Sequence, residues 1–237
     1  MKKIILLLVS TIMCYGCSTT GGLNNWYKVN YDEKVIPDKC KLSDNEEPLI
    51  YYTDNYEADS LTLKSKYYDI LGYASYNAPA EDLNDLKNKI KELCKLKKAK
   101  IALFTFKYTD TRSGVVSYSN NVSSYSIKRY DYHIILFFPL PEEYIAKQKI
   151  GIEVVDLDSA LRLKLQRNTG VYIDVVFMES PAFYANLVHG DIIIKINNTS
   201  IVNKAAFNDI TNSLRKGDRA KIIFLRNGIE YKVNVRL

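Results

Sequence analysis

The chain has 237 residues, of which 47% are hydrophobic and 25% charged, and it carries a formal net charge of +6 at pH 7. This composition excludes a mainly disordered chain, and the length suits two domains of about 100 residues each. The charge is too mild to indicate a nucleic-acid-binding protein, so no nucleic-acid partner is expected.

The first seventeen residues have the layout of an export signal. Lys2 and Lys3 precede an apolar run over residues 4–13, and Gly16 stands directly before Cys17. The run is about half of the roughly 20 residues that a membrane-spanning helix needs, which disfavours a permanent anchor helix.

This segment resembles the lipobox of bacterial lipoproteins, in which the signal is cut before a cysteine that carries lipid. The resemblance implies that residues 1–16 are a lipoprotein signal peptide and that Cys17 bears lipid such as palmitate, which tethers the chain to a membrane. Because Ser18 and not aspartate follows the cysteine, the resemblance favours the outer membrane of the cell envelope, facing the periplasm. The alternative is ordinary cleavage without lipid. Either cut removes Lys2 and Lys3 and lowers the formal charge to +4.

The first half of the mature chain is predicted to be a tether followed by a small domain. Residues 17–46 show no sustained hydrophobic period and are predicted to be a flexible tether. Residues 47–138 are predicted to form an α+β domain of unknown function. Its predicted strands are PLIYYT, KYYDILGYASYNA, KIALFTFKYTD and RYDYHIILFF. A helix is predicted over 80–97, with Pro79 in its first turn and acids near its start.

The segment between the last two strands, TRSGVVSYSNNVSSYSIK at 111–128, is predicted to be an exposed hairpin arm. Asn120 and Asn121 tolerate turn conformations and mark its tip. The tyrosines of this domain suit two roles, either stacking on sugars or peptides or packing a core and shielding an edge.

Cys40 and Cys94 remain beyond the lipid site, and two hypotheses stay open for them. An exported protein meets an oxidising compartment, where such a pair can form a disulfide. Cys94 also continues an apolar helix face, which favours a buried free thiol equally. That face comprises Leu83, Leu86, Ile90 and Leu93.

Two prolines in PLPEEY break both helix and central strand, so residues 139–148 are predicted to be a linker. Further on, Ser180 and Pro181 predict a short helix, since serine caps helices and proline suits the first turn. Asn186 is expected to end that helix in the left-handed conformation. The residues HGD then turn into the strand IIIKI.

The C-terminal segment continues with a helix and a hairpin. The sequence NKAAFNDITNSLRKGD predicts a helix over 204–215 with Gly217 after its end. Asn227 and Gly228 form a strong two-residue hairpin signal.

The stretch GVYIDVVFMESPAFYANLVHGDIIIKINNTSI, with RNGIEYKVNV behind it, resembles a bacterial PDZ domain of the type found in the high-temperature-requirement periplasmic proteases. The resemblance covers residues 149–237 and implies a partly open β-barrel with two helices, so the whole chain is expected to be α+β. Asn186 and Asn198 stand where glycine is usual, and both keep access to positive φ. Asn197 and Asn198 can each take a left-handed conformation between strands.

PDZ domains bind an extended peptide as an added strand beside a sheet edge. The resemblance therefore implies a carboxylate-binding loop at 150–152, a pairing strand that follows it, and a groove-side helix. Phe207 and Leu214 are the members expected to face the core. Replacing Gly151 with a bulky residue is expected to abolish binding without unfolding the domain. The predicted peptide-binding residues are Ile150, Gly151, Ile152, Glu153, Val154, Phe207, Ile210, Thr211 and Leu214.

No catalytic constellation is visible. The chain has two histidines, His133 in a predicted strand and His189 in a predicted turn, and neither has a metal-ligand neighbour at the usual spacing. No enzyme activity, metal or cofactor is therefore expected. The leading hypothesis is a membrane-tethered adaptor or scaffold that binds peptides or protein C-termini. The alternative is a structural subunit of an envelope assembly, with an occluded groove and contacts made by the arm.

Overall fold

The computed structural model describes residues 22–118 and 121–237. The predicted signal peptide, Cys17 and the predicted arm tip at Asn120 lie outside the described residues. The chain forms two α+β domains, each built on one sheet.

The first sheet has the strand order β1-β3-β5-β4-β2. β2 and β4 run parallel and the other neighbours run antiparallel. Its strands and helices, in chain order, are β1 (Tyr27–Val29), β2 (Leu49–Tyr52), α1 (Tyr56–Ser65), β3 (Tyr68–Pro79), α2 (Leu83–Lys97), β4 (Ile101–Tyr118) and β5 (Asn121–Pro139). Helix α1 was not predicted.

Helix α2 begins at Leu83 and not at residue 80. The Asp82 carboxylate caps it by accepting hydrogen bonds from the N–H groups of Asn84 and Asp85. The prediction was wrong at this end because Pro79 continues strand β3, and the N–H of Ala80 still donates to the carbonyl of Lys128. The helix buries Leu86, Ile90, Leu93 and Cys94 of the predicted apolar face, whereas Leu83 at its first turn is exposed.

The predicted tether is structured from residue 23 onward. Leu23, Ile36 and Cys40 are buried in the core of the first domain, and β1 pairs with β3. The prediction of a flexible tether is therefore wrong for this part. These buried side chains are too widely spaced to give a helical or strand period, so the sequence pattern carried no signal for them.

Cys40 and Cys94 are free thiols in the structure, and both are buried in the same core. Burial raises the pKa of the Cys94 thiol to about 12. The structure thus corresponds to the buried-thiol hypothesis.

The second sheet has the strand order β11-β10-β8-β7-β6, with β9 paired to β8. A turn of helix in the predicted linker, α3, leads into this domain. The elements are α3 (Glu142–Ile145), β6 (Ile152–Asp156), α4 (Ser159–Leu165), β7 (Val171–Val176), α5 (Pro181–Tyr184), β8 (Ile192–Ile196), β9 (Thr199–Ser200), α6 (Lys204–Ser213), β10 (Arg219–Arg226) and β11 (Ile229–Arg236). Helix α4 was not predicted.

The two domains pack against each other through buried apolar side chains. Val175 and Phe177 belong to the second domain but are buried in the core of the first. The Phe177 ring stacks on the ring of Tyr67 with centroids 4.5 Å apart. Polar contacts flank this packing, since Lys64 pairs with Asp174 at 2.9 Å. The β7 end of the second domain is therefore fixed on the first domain.

Candidate functional site

A groove lies between strand β6 and helix α6 of the second domain. β6 is an edge strand, because it pairs with β7 on one side and has no other strand partner among the described residues. The start of α6 is tied to the end of β6, since the N–H of Lys204 donates to the Asp156 carboxylate at 2.6 Å. The groove is lined by Asp69, Tyr144, Lys147, Gln148, Lys149, Ile150, Ile152, Glu153, Val154, Val155, Asp174, Lys204, Phe207, Asn208, Thr211 and Asn212.

The loop that enters β6 depends on glycine at position 151. Gly151 has φ +81°, and a Cβ atom built there would stand 2.0 Å from the Cβ of Ser180. Its carbonyl accepts hydrogen bonds from the N–H of Phe177 at 2.9 Å and from the Ser180 hydroxyl at 3.2 Å. The loop is thereby locked onto the start of α5.

Two backbone donors of this loop remain available. No described residue accepts a hydrogen bond from the N–H of Ile150 or of Gly151, although the carbonyl of Ile150 is engaged by the N–H of Ala182 at 2.9 Å. A buried N–H group without an acceptor is uncommon in folded proteins. The loop therefore offers two donors to an external acceptor at the entrance of β6.

Lys149 closes the groove at the same end. Its ammonium donates to the carbonyls of Asn212 at 2.6 Å and Leu214 at 2.7 Å, which lie at the C-terminal end of α6. A cation here satisfies helix carbonyls that lack an intrahelical partner and complements the helix dipole. Lys147 and Lys149 both line the groove next to the loop, so the side-chain charge at this end is positive and suits an anion.

Most of the predicted peptide-binding residues are brought together in the groove. Ile150, Ile152, Val154 and Phe207 are buried and form its apolar floor, as well as part of the domain core. Glu153 and Thr211 line it from the strand and the helix. The expectation that Phe207 and Leu214 face the core is confirmed.

Three of the predicted residues, Gly151, Ile210 and Leu214, are not among the groove-lining residues. Ile210 and Leu214 pack on the domain core instead. Because residues on one helix face recur at three and four positions, the groove-side partners of Phe207 are polar. Thr211 was the one polar residue of α6 that the sequence pattern predicted for the groove. Helical spacing from Thr211 could also have identified Asn208 and Lys204, three and seven positions before it. The missed lining residues of the helix are Lys204, Asn208 and Asn212.

One side of the groove comes from outside the second domain. Tyr144 of the linker helix donates a hydrogen bond to the Glu153 carboxylate at 2.5 Å, and Asp69 of the first domain lies nearby. Burial raises the pKa of Glu153 above its usual range, against the lowering effect of the Tyr144 hydrogen bond. Burial also raises the pKa of Asp69. This wall is acidic, whereas the loop end is basic.

A bidentate ion pair between Asp191 and Arg226 joins elements of the second domain outside the groove. The Asp191 carboxylate is fully buried, and Arg226 donates to both of its oxygens at 2.7 Å. Arg226 also donates to the carbonyl of Asn186 at 2.8 Å. It thereby joins the start of β8, the end of β10 and the residue that follows the short helix.

The short helix begins and ends as predicted. The Ser180 hydroxyl accepts a hydrogen bond from the N–H of Phe183, and Asn186 has φ +58°. Of the two asparagines after β8, Asn197 takes positive φ, and Asn198 is absent from the positive-φ residues. The left-handed position of this turn therefore falls on Asn197, one of the two asparagines that the sequence offered for it. This segment braces the scaffold and lies outside the groove.

The histidines make structural contacts. The His133 ring lies 2.9 Å from the Ser75 hydroxyl, and the His189 ring bridges the Tyr172 hydroxyl and the carbonyl of Asp174. Within residues 22–118 and 121–237, no cluster of three or more histidine, cysteine or acidic residues has metal-binding geometry. None of the described helices has the length and apolar character to cross a membrane.

Comparison with protein families finds a match to the PDZ domain model over residues 148–237. Among curated proteins, the chain is 30% identical over 95 residues to a probable periplasmic serine endoprotease, DegP-like, from Buchnera aphidicola subsp. Schizaphis graminum (strain Sg). It is 27% identical over 100 residues to a serine protease Do-like HtrA from Lactobacillus helveticus. Each match covers 39% of this chain but only 20% and 24%, respectively, of the relative.

Solved structures give the same type of match at low similarity. The HtrA-type protease AlgW with a decapeptide aligns with 21% identity and a TM-score of 0.34, over 43% of this chain and 36% of the other. The HtrA3 PDZ domain bound to a phage-derived ligand aligns with 20% identity and a TM-score of 0.33, over 37% and 81%. The predicted α+β fold class and the predicted relationship to the PDZ domains of these proteases are confirmed. The protease domain of the relatives is not matched.

Proposed function

We propose that residues 148–237, a PDZ domain related to those of the HtrA and DegP proteases, capture peptide segments or protein C-termini in the groove between β6 and α6. A peptide would extend the sheet by pairing with the free edge of β6, so that backbone hydrogen bonds supply affinity and side-chain pockets supply selectivity. The chain then acts as an adaptor or scaffold, without catalysis of its own.

One observation carries this proposal. The N–H groups of Ile150 and Gly151 lack acceptors among the described residues, and they lie at the entrance of an unpaired strand edge. A terminal carboxylate accepts two such hydrogen bonds well, because bonds to a charged acceptor are the stronger ones. Lys149 adds a positive charge at the same end. The buried Ile152, Val154 and Phe207 then provide an apolar floor for the last side chain of the ligand.

The site would act from a membrane surface. The sequence layout before Cys17 supports a lipid anchor on that cysteine in the cell envelope, with the outer membrane facing the periplasm as the proposed location. The Buchnera aphidicola relative is named as a probable periplasmic protein, and a periplasmic location is consistent with export of this chain. The proposed partners are therefore a membrane, through the lipid, and peptides or protein C-termini in the same compartment.

We expect Thr211→Trp to weaken peptide binding by at least tenfold, equivalent to about 1.4 kcal/mol. Thr211 lines the groove from α6, so an indole there fills the space of the ligand. Ser213→Trp is the matched control, since Ser213 is exposed on the same helix and is not a lining residue. The measurement is fluorescence polarisation of a peptide library with free carboxy termini against soluble residues 17–237 with Cys17→Ser.

Amidated copies of the binding peptides separate the two kinds of ligand. Loss of binding on amidation identifies capture of C-termini, whereas retained binding identifies internal segments. The proposal fails if the folded protein binds no peptide, or if both tryptophan variants bind as the parent does.

An occluded groove is the second candidate, and the position of Tyr144 favours it. Tyr144 and Asp69 line the groove, and the Tyr144 hydroxyl donates a hydrogen bond to Glu153 of the pairing strand. Both side chains would therefore compete with a peptide for the space in the groove. In this case the chain is a structural subunit whose contacts are made by the arm at 111–128. Tyr144→Ala should then raise peptide affinity at least tenfold, whereas unchanged affinity identifies a groove that is already open.

The loop glycine also gives a stability prediction. Gly151→Val should lower the free energy of unfolding by more than about 2 kcal/mol, in the upper part of the usual range for single substitutions. The valine side chain would collide with Ser180 and force a β-branched residue to positive φ. Urea denaturation followed by circular dichroism measures the loss, with the exposed Gly217→Ala as a milder control at positive φ in open space. The clash with Ser180 is at odds with the expectation that a bulky residue at position 151 leaves the domain folded. Unchanged stability of Gly151→Val would contradict this packing and make Gly151 a specific probe of binding.

A further inference from the structure

Strand β6 presents two chemically different faces. Ile152 and Val154 are buried in the core of the second domain and lie on the floor of the groove. Glu153, between them, lies opposite Val175, whose side chain is buried in the core of the first domain. Because successive side chains of a strand point to opposite faces of the sheet, Glu153 lies on the face that is turned toward the first domain.

Two further carboxylates line the groove together with Glu153. Asp174 is the extra residue of a β-bulge, because it has no partner between the two residues of β7 that pair with Glu153 and Val154. Bulges of this kind re-aim a side chain. Asp69, near the start of β3, lines the same groove from the first domain. We call Asp69, Glu153 and Asp174 the acidic wall.

The charge of the acidic wall is compensated only in part. Lys64 forms an ion pair with Asp174 at 2.9 Å and is the one cation among the described residues that is paired with the wall. The other two carboxylates accept hydrogen bonds from neutral donors, the Tyr144 hydroxyl and a backbone N–H. Burial is the first cause that raises the pKa of Asp69 and of Glu153, and the charge of Asp174 raises both further. A second cation would therefore be stabilised beside this wall.

A peptide bound as an added strand would place its side chains alternately on the same two faces. In the proposed function its terminal carboxylate lies at the loop before β6, and its last side chain lies on the apolar floor. Because the side-chain period of a strand is two, the penultimate side chain points to the other face, which is the face of Glu153. The penultimate residue of the ligand is therefore the one that meets the acidic wall.

We propose that the acidic wall selects ligands whose penultimate residue is lysine or arginine, followed by an apolar residue with a free carboxylate. This inference rests on the proposed capture of C-termini. Such a ligand carries its charges in the order that the groove complements, with Lys147 and Lys149 next to the loop and the acidic wall beyond it. Hydrogen bonds between charged groups are the stronger ones, so the pairing favours this ligand over an uncharged one. Because Asp69 belongs to the first domain, both domains contribute to the selection.

Fluorescence polarisation with three peptide pools tests this preference on soluble residues 17–237 with Cys17→Ser. Each pool ends in a mixture of valine, leucine and phenylalanine with a free carboxylate, and carries lysine, acetyllysine or glutamate at the penultimate position. The lysine pool should bind about tenfold more tightly than the acetyllysine pool, because hydrogen bonds to charged groups contribute more than neutral ones. Acetyllysine keeps the apolar stem and removes the charge, so this comparison isolates the charge. The glutamate pool should bind most weakly.

The double variant Asp69→Asn/Glu153→Gln should lose most of the preference for lysine and bind the acetyllysine pool as the parent does. Both substitutions keep an acceptor oxygen for the Tyr144 hydroxyl and for the N–H of Ile70, so they remove charge with little change of shape. Asp209→Asn is the matched control, because Asp209 is exposed on α6 and is not a lining residue. The control should keep the parental preference. Circular dichroism of each variant establishes that it is folded.

The outcomes distinguish this inference from the proposed function. Equal binding of the lysine and acetyllysine pools by the parent overturns selection by the acidic wall and leaves peptide capture intact. An unchanged preference in the double variant, or an equal loss of preference in Asp209→Asn, does the same. Absence of binding to any pool by the folded parent overturns the proposed function and this inference together.

Discussion

Phe177→Ala is expected to lower the free energy of unfolding by about 3–5 kcal/mol, the usual cost of truncating a buried phenylalanine. Phe177 is 1% exposed, and it packs in the core of the first domain although it belongs to the second. Its ring also stacks on Tyr67. The substitution therefore leaves a cavity where the domains join.

This loss should also change the form of the unfolding curve. The parent chain is expected to unfold in one calorimetric transition, because the two domains share buried side chains. In Phe177→Ala the domains should separate into two transitions, since domains joined by a weak interface unfold independently. Phe183→Ala is the control, because Phe183 is 45% exposed and its loss should cost much less. A single transition at nearly parental temperature in Phe177→Ala would refute a shared core.

Arg226→Ala should cost about 3 kcal/mol, the lower end of the range for removing one partner of a buried ion pair. The cost arises because the Asp191 carboxylate is fully buried and would lose both hydrogen bonds from Arg226. We place the value at the lower end because Arg226 itself is 34% exposed, so water can reach the vacated position.

Urea denaturation of Arg226→Ala measures this loss, with Lys232→Ala as the control. Lys232 pairs with Glu230 at 3.7 Å on the surface, and exposed pairs contribute about 0–1 kcal/mol. Arg226→Lys should recover part of the stability, because lysine restores the charge but not the bidentate geometry. Equal losses in Arg226→Ala and Lys232→Ala would show that the buried pair contributes no more than a surface pair.

The ion pair between Asp191 and Arg226 joins two segments that were recognised separately in the sequence. The segment LVHGD contains Asp191, and the segment RNG begins with Arg226. The sequence alone revealed both segments, because a turn with glycine and a two-residue hairpin have local signatures. Their hydrogen-bonded contact became visible only in the folded chain.

Elements with local sequence signals could be predicted without the structure. Ser180 caps a helix, Asn186 ends it, and Asn227 with Gly228 closes a hairpin, because each depends on backbone conformations that few residues adopt. Runs of β-branched and aromatic residues likewise indicated the strands, and the 3.6-residue period of apolar positions indicated the core face of α2. The PDZ fold, and the loop and strand of the proposed groove, were predicted from the resemblance of residues 149–237 to bacterial PDZ domains and not from these local signals alone.

The burial and the groove positions of other residues depend on contacts between residues far apart in the sequence, and these contacts exist only in the folded chain. Leu23 and Ile36 became part of a core although no periodic pattern surrounds them, and Phe177 joined the core of the other domain. Lys149 is held at the groove because it donates hydrogen bonds to carbonyls at the C-terminal end of α6. Tyr144 is held there because its hydroxyl donates to the Glu153 carboxylate. Burial also made Gly151 indispensable, because Ser180 occupies the space of its missing side chain. Such contacts follow from the packing of whole elements, which no short stretch of sequence encodes.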